Sequence, residues 1–370
     1  MKIGMITGNT GDIRSGIGNY IFNLTSNLKK KPDNDLTIIG YGENHIFEDL
    51  PSVTPYYPKI RYNSVLWSRV ASLQKKCFND FDIVHNPAHF PLLRKPGKHY
   101  VSTIHDLTPL IFPAWHQFHR VVSSKMLFPR LIRDSDKLIA VSQNTKNDII
   151  KYYRVKEEKI SVIPLGASKD YKQLDSQITD SVKKKYHLTS PFILFVGTLE
   201  PRKNLPSLLK AFAIVKENNP LVKLVIAGQK GWKYSDICTT IAYVHLEKEV
   251  IFLNYIAHED LPALYNAADL FVYPSLYEGF GLPPLEAMQC GIPVITSDTS
   301  SLPEIMGEGG IMVNPLDIRE LADKISLLLN DDQERKENIR YNLARAKLFS
   351  WDRCACETTR VYEEISTTGR

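Results

Sequence analysis

One pattern constrains this chain more than any other. A short apolar run gives way to an amphipathic stretch and then to another apolar run, over and over. Short apolar runs bounded by turn residues read as buried strands, and the helical spacing between them reads as the crossovers that parallel strands require. In the first half the runs predict strands at 2–7, 36–40, 83–85, 100–104, 137–141 and 160–164. Ile21, Phe22, Leu24 and Leu28 give Gly18–Lys30 a helical spacing, and Ser142 stands where an N-cap would open the helix beginning at Gln143. The pattern then breaks over 167–190, which is polar and carries Lys183-Lys184-Lys185. It resumes with strands predicted at 192–197, 223–227, 250–253, 270–273, 293–296 and 311–313, and with helices at 205–218, 259–268 and 283–290. A last amphipathic stretch, 351–365, predicts a helix able to close back on the first half.

The fold class is therefore α/β, with two Rossmann-like doubly wound domains in tandem. The expected division is an N-terminal domain over 1–170, a linker over 171–190 and a C-terminal domain over 191–350, with helix 351–370 packing back on the first. A length of 370 residues suits two cores better than one. Hydrophobic content of 43% with 24% charged residues excludes disordered and low-complexity classes. No apolar run approaches the roughly 20 residues that cross a bilayer, and the N-terminal run is too short for a signal-peptide core. The chain is expected to stay in the cytoplasm. Five scattered cysteines (Cys77, Cys238, Cys290, Cys354 and Cys356) read as reduced thiols, because Cys354-Ala-Cys356 lacks the second pair of a zinc site.

Charge is unevenly spread. Residues 1–170 hold 24 basic against 15 acidic side chains, whereas the remainder holds 22 against 26. A basic first half fits an anionic acceptor or a membrane surface, or else a solvated face. Its clusters (29–31, Lys75-Lys76, Arg94-Lys95, Arg130 and Arg133) lie near aromatics such as Tyr62, Trp67, Trp115 and Phe118, but no nucleic-acid-binding motif accompanies them.

Ligands collect at the carboxyl ends of strands in such folds, so that edge decides which residues matter. The richest segment is Tyr273-Pro-Ser-Leu-Tyr-Glu-Gly-Phe-Gly-Leu-Pro-Pro-Leu-Glu286. It follows a strand and opens a helix near Pro283, so the N–H groups of Phe280, Gly281 and Leu282 are expected to offer an anion or polar-ligand site. Glu278 in the loop suits sugar hydroxyls. Glu286, expected in the first helical turn, suits a ribose diol, or else merely complements the helix dipole. Arg202 and Lys203 occupy the loop after strand 192–197, where fixed cations would stabilise a departing nucleoside diphosphate. In the first half, Gly16 and Gly18 loosen a helix start without meeting the dinucleotide fingerprint. His105-Asp106 ends strand 100–104, either as a structural pair or as a contact to sugar or acceptor.

Taken together, Gly16-Ile-Gly18, His105-Asp106, Arg202-Lys203 and the Glu278-x₇-Glu286 motif resemble the family 4 retaining glycosyltransferases of GT-B fold, over nearly the whole chain. His105-Asp-Leu-Thr-Pro109 and Pro113-Ala-Trp115 resemble its mannosyltransferase-like branch, which builds O-antigen and related polysaccharides. The resemblance implies an active site in a cleft between the two domains. Arg202 and Lys203 would hold the donor diphosphate, Glu286 the ribose, and Glu278 with the 280–282 amides the transferred sugar. Gly16 would approach the phosphates from the opposite domain, His105 would contact the sugar, and Gly228, Tyr255 and Ile256 would lie near the base. Many members carry Arg where this chain has Thr198, so either Arg202 supplies that charge from later in the loop or the diphosphate is held less tightly.

The implied reaction moves a hexose, mannose first, from a nucleoside diphosphate to a saccharide or lipid-linked saccharide with retention. GDP-mannose is the first-choice donor. No Asp-x-Asp or histidine cluster suggests a metal, so a metal-independent reaction is expected, as is peripheral contact with an anionic membrane. Three other readings keep the fold: a sugar-nucleotide epimerase, a phosphorylase, and a two-domain protein that closes on its ligand without chemistry.

Overall fold

The computed structural model describes residues 1–8, 16–40, 52–53, 78–88, 92, 95–232 and 234–367. The chain divides into two units, Met1–Gly166 with Ser350–Arg370, and Ala167–Phe349. The chain passes between units at two neighbouring points. A Cβ on Gly166 would lie 2.3 Å from the Trp351 nitrogen, so only glycine lets these two backbone segments meet.

The first unit is built on β1 (Lys2–Gly8), β2 (Asp35–Gly40), β3 (Ser52–Val53), β4 (Ile83–Asn86), β5 (His99–Ile104), β6 (Lys137–Ala140) and β7 (Ile160–Val162). They form one sheet in the order β3-β2-β1-β4-β5-β6-β7, every pairing parallel. Helices cover it as they must, because a parallel sheet is apolar on both faces. β4 is buried throughout although it carries His85 and Asn86. Both polar groups are satisfied: Asn86 Nδ2 donates to the Tyr100 hydroxyl at 2.8 Å, and His85 is held between Tyr362 (2.6 Å) and Thr103 (2.8 Å). Tyr362 belongs to the helix Trp351–Thr367, which thereby docks on the first unit. Ser142 accepts from the Thr145 backbone N–H at 3.0 Å and caps the helix Gln143–Tyr153.

The second unit repeats the plan with β8 (Phe192–Val196), β9 (Lys223–Ala227), β10 (Val250–Asn254), β11 (Leu270–Tyr273), β12 (Val294–Ser297) and β13 (Ile311–Val313), in the order β10-β9-β8-β11-β12-β13. β11 is four apolar residues, all buried, as a central strand covered on both faces requires. The 171–190 stretch, read from sequence as a linker, is packed into this unit. Its helix Ser176–Lys185 lies against Leu261–Ala267, Lys185 pairs with Asp260 at 2.5 Å, and the Leu174 N–H donates to Asn266 at 2.9 Å.

One consequence follows from the strand orders. In each sheet the order reverses beside its first strand, between β1 and β4 and between β8 and β11. Loops leaving such a pair diverge and leave a crevice at the carboxyl ends, so the loops after β8 and β11 must face each other across one. Among the described residues, no helix is long and apolar enough to cross a membrane.

Candidate active site

The β8 loop runs through a short turn, Pro201–Lys203, into the helix Leu205–Asn218. The β11 loop runs from Pro274 into the helix Leu282–Cys290, whose N-cap is Gly281. The loops are tied together directly. The Leu276 N–H donates to the Arg202 carbonyl at 2.8 Å, and Asn204 Nδ2 donates to the carbonyls of Pro274 (3.2 Å) and Pro315 (2.7 Å).

That stitching brings the charges into contact. Lys203 Nζ donates to Glu278 Oε1 at 2.7 Å, and Arg202 Nη1 reaches Oε2 at 2.5 Å. Ser275 is the carboxylate's third donor, reaching Oε1 at 2.7 Å. Lys203 also donates to the Tyr273 hydroxyl, and Arg202 Nε pairs with Glu200. Glu278 is only 6% exposed, and burial alone would push its carboxyl up. The two cations outweigh that and hold it at about 2. Glu278 is thus an anion at every physiological pH, an acceptor of hydrogen bonds and never a donor. Lys203 is also held below its ordinary range, first by burial and then by neighbouring Arg202. A surface Arg-Lys pair is usually solvated; here Lys203 is buried and Arg202 half-buried.

Glu286 is as buried as Glu278 but has no cation beside it. Its Oε2 accepts from the Tyr265 hydroxyl at 3.0 Å, and burial raises its pKa to about 7 against the opposing pull of Tyr265 and Tyr171. The helix starts at Leu282, so Glu286 is its fifth residue and lies beyond the first turn where sequence reading put it. A helix-dipole role weakens accordingly, since that effect fades within the first turn. Gly281 has φ +130, and a Cβ there would meet Leu302 Cδ2 at 2.8 Å. The glycine therefore answers both a backbone and a packing demand, and the helix start carries no side-chain cap. Phe280 is buried against Phe349, ring centroids 6.0 Å apart.

The remaining expected residues fall in two places. On the second unit, Gly228 follows β9 with φ +151, and a Cβ would lie 2.0 Å from the Gly197 carbonyl oxygen, so packing by itself requires glycine there. Thr198 is exposed, Tyr255 is 46% exposed and Ile256 is buried. On the first unit, Gly16 and Gly18 open the helix Gly16–Lys29, and Tyr20 from that helix sets its ring edge-on to His105, centroids 4.9 Å apart. His105 Nε2 contacts the Pro87 carbonyl at 2.7 Å. A carbonyl only accepts, so Nε2 carries a proton. Glu278, Arg202 and Lys203 are in mutual contact, Glu286 occupies a separate tyrosine-lined pocket, and His105 with Gly16 and Gly18 belongs to the other unit. Tyr62, Trp67, Lys75, Lys76, Cys77 and Arg94 lie outside the described residues.

Sequence reading missed Glu200, Tyr273, Ser275 and Tyr265. The first three stand within five residues of Arg202 or Glu278 and share their strand ends, a signal that could have found them. Tyr265 comes from a different helix, Leu261–Ala267, and has no local signal. Among the described residues, no group of three or more His, Cys, Asp or Glu is placed to hold a metal ion.

Comparison with known proteins agrees with this layout. Residues 176–345 match the glycosyl transferases group 1 family, and residues 14–171 match glycosyltransferase family 4. The chain is 38% identical over 267 residues to the O-antigen chain mannosyltransferase B of Escherichia coli, covering 71% of this chain and 70% of that protein. It is 31% identical over 264 residues to the serotype-specific mannosyltransferase WbdA of the same species, 68% of this chain but only about a third (32%) of that longer protein. Among solved structures, Anabaena Alr3699/HepE in complex with UDP and glucose superimposes with a TM-score of 0.77 at 18% identity, covering 98% of this chain and 100% of that one. That likeness is one of fold. The chain belongs to the family 4 glycosyltransferases, enzymes of GT-B fold with two Rossmann-like units in tandem.

Proposed function

We propose that this glycosyltransferase moves mannose from GDP-mannose to a saccharide or lipid-linked saccharide of a growing cell-surface polysaccharide, with retention of configuration and without a metal. The observation that carries the reading is the buried contact of Glu278 with Arg202 and Lys203 at the strand-end crevice of the second unit. Two fixed cations there suit a leaving diphosphate, whose negative charge grows as the glycosidic bond breaks. Glu278, held ionised, accepts hydrogen bonds from the hydroxyls of the transferred sugar. Three donors occupy its oxygens and its basicity is low, so it is a poor nucleophile. A front-face displacement, in which the departing phosphate takes the acceptor's proton, fits that better than a covalent glycosyl-enzyme.

The other roles follow the resemblance. Glu286 binds the donor ribose, with Gly228, Tyr255 and Ile256 toward the base and Thr198 beside the diphosphate. The 280–282 amides hold the sugar. Gly16 and Gly18 serve the donor phosphates and His105 the transferred sugar, all three from the first unit. Mannose is supported by the names of the two mannosyltransferases above, whereas HepE was solved with UDP and glucose, so UDP-glucose is the competing donor. The basic first half supports a position at the inner face of the cell membrane, where a lipid-linked acceptor would lie.

A donor panel tests the reading. A nucleotide sugar at 100-fold over its dissociation constant stabilises the fold by about 2.7 kcal/mol, an easily measured rise in melting temperature. GDP-mannose should give the largest rise and release GDP only when a saccharide acceptor is added. Release that needs inorganic phosphate instead, or sugar interconversion without release, would assign the fold to a phosphorylase or an epimerase.

A further inference from the structure

The helix Phe118–Asp134 has two apolar faces. One is anchored: Val121, Phe128, Leu131 and Ile132 are buried in the first unit. The other is bare. Phe118 is 84% exposed, Val122 36% and Met126 68%, each one turn from the next, so they form a single row on the solvent side. Scattered exposed apolar residues are ordinary on a protein surface; three large ones in register along one helix are not. Lys125 flanks the row on one side and Arg130 and Arg133 continue it, all exposed, and the only acid in the helix is Asp134, bound to Arg133 Nε at 2.9 Å. Past the helix end, a cavity of about 560 Å³ is lined by Arg133, Lys137, Lys156 and Lys159 as well as Asp136 and Glu158.

An apolar row edged by cations and ending in a basic cavity has the character of a helix that lies in a membrane interface. We infer that the face of Phe118, Val122, Met126, Arg130 and Arg133 docks this protein on an anionic lipid surface, with the apolar side chains in the headgroup–acyl boundary and the cations on lipid phosphates. The charge sign selects this occupant, because a rim on which cations outnumber acids complements anionic headgroups and opposes a second copy of itself. At 17 residues the helix is about 25 Å long, enough to lie along the interface and too short and too charged to span it. The inference rests on the membrane reading above and names the surface that performs it; it is independent of the donor.

The test uses the full chain and co-sedimentation with vesicles of equimolar phosphatidylglycerol and phosphatidylcholine, beside vesicles of phosphatidylcholine alone. Wild type should bind the anionic vesicles, and less as salt rises. The double variant Phe118→Ser, Met126→Ser should lower the partition coefficient on the order of tenfold or more. Arg130→Ala with Arg133→Ala should do so by a similar factor, because each surface cation contributes about fivefold. All four side chains are exposed, so melting temperature and turnover on a water-soluble acceptor should be unchanged. If wild type binds and both variants bind equally well, this surface is wrong while the membrane reading stands. If wild type binds neither vesicle, the membrane reading fails with it. A shift of the Ser variant's mass in solution with vesicle binding intact would assign the row to a protein partner instead.

Discussion

Glu278 and Glu286 stand eight residues apart, on the loop and on the helix of one segment, and are equally hidden from water at 6% and 7% exposure. Yet one carboxyl titrates at about 2 and the other at about 7. Burial raises both. Only Glu278 has cations within contact, and those come from another strand end, delivered by the adjacency of β8 and β11. Spacing in the sequence locates a pair of carboxylates; topology decides which is a fixed anion and which can exchange a proton near neutral pH.

The largest way to break the contrast is Glu278→Ala. It strips Lys203 of its carboxylate partner while Arg202 keeps Glu200, leaving a buried ammonium whose remaining partner is the Tyr273 hydroxyl. Losing one member of such a pair costs about 3–5 kcal/mol, which a denaturant melt should register together with loss of transfer. Glu278→Gln, which keeps an acceptor of the same shape, should cost less stability but still abolish most activity. An unchanged melt for the alanine variant would mean that the cluster does not bind as described.

Acid titration sharpens the comparison. The Glu278 carboxyl is lowered on folding, so its contribution is complete above the unfolded value near 4.5 and is lost as pH falls toward about 2. Glu286 is raised on folding. Its folded form binds the extra proton between about 4.5 and 7, so stability falls as pH rises across that window, by roughly 3 kcal/mol in all. Glu286→Gln should flatten that slope and leave the acid limb below 4.5 intact. A slope that survives the substitution would place the titrating group elsewhere. The smallest effect expected is that of Tyr265→Phe, which removes one hydrogen bond to Glu286: about 1 kcal/mol by melting, and an upward move of the neutral-pH transition.

Much of this was legible in the residues. Strand runs such as 223–227, 270–273 and 311–313 match the structure residue for residue, because a buried parallel strand is a continuous apolar run that nothing else in the neighbourhood imitates. The two-residue strand Ser52–Val53 is too short to carry a pattern. The helix Phe118–Asp134 was missed for a more instructive reason. It is apolar on two sides and contains Pro129, so its single-face period is blurred by the same exposed row proposed above to meet lipid. At the site, the glutamates and the basic pair were visible as strand-end residues. Their union was not, since Arg202 and Glu278 are 76 positions apart and only the strand order joins them.

The central claim is that this crevice receives the donor diphosphate, and Arg202 is the cation a ligand can reach, its side chain 19% exposed against 6% for Lys203. Arg202→Ala leaves Glu278 paired with Lys203 and should fold. Measured at saturating nucleotide sugar, its acceptor-dependent release of nucleoside diphosphate should fall on the order of 10²–10³-fold. A folded Arg202→Ala enzyme that releases the nucleotide at the wild-type rate would contradict the account.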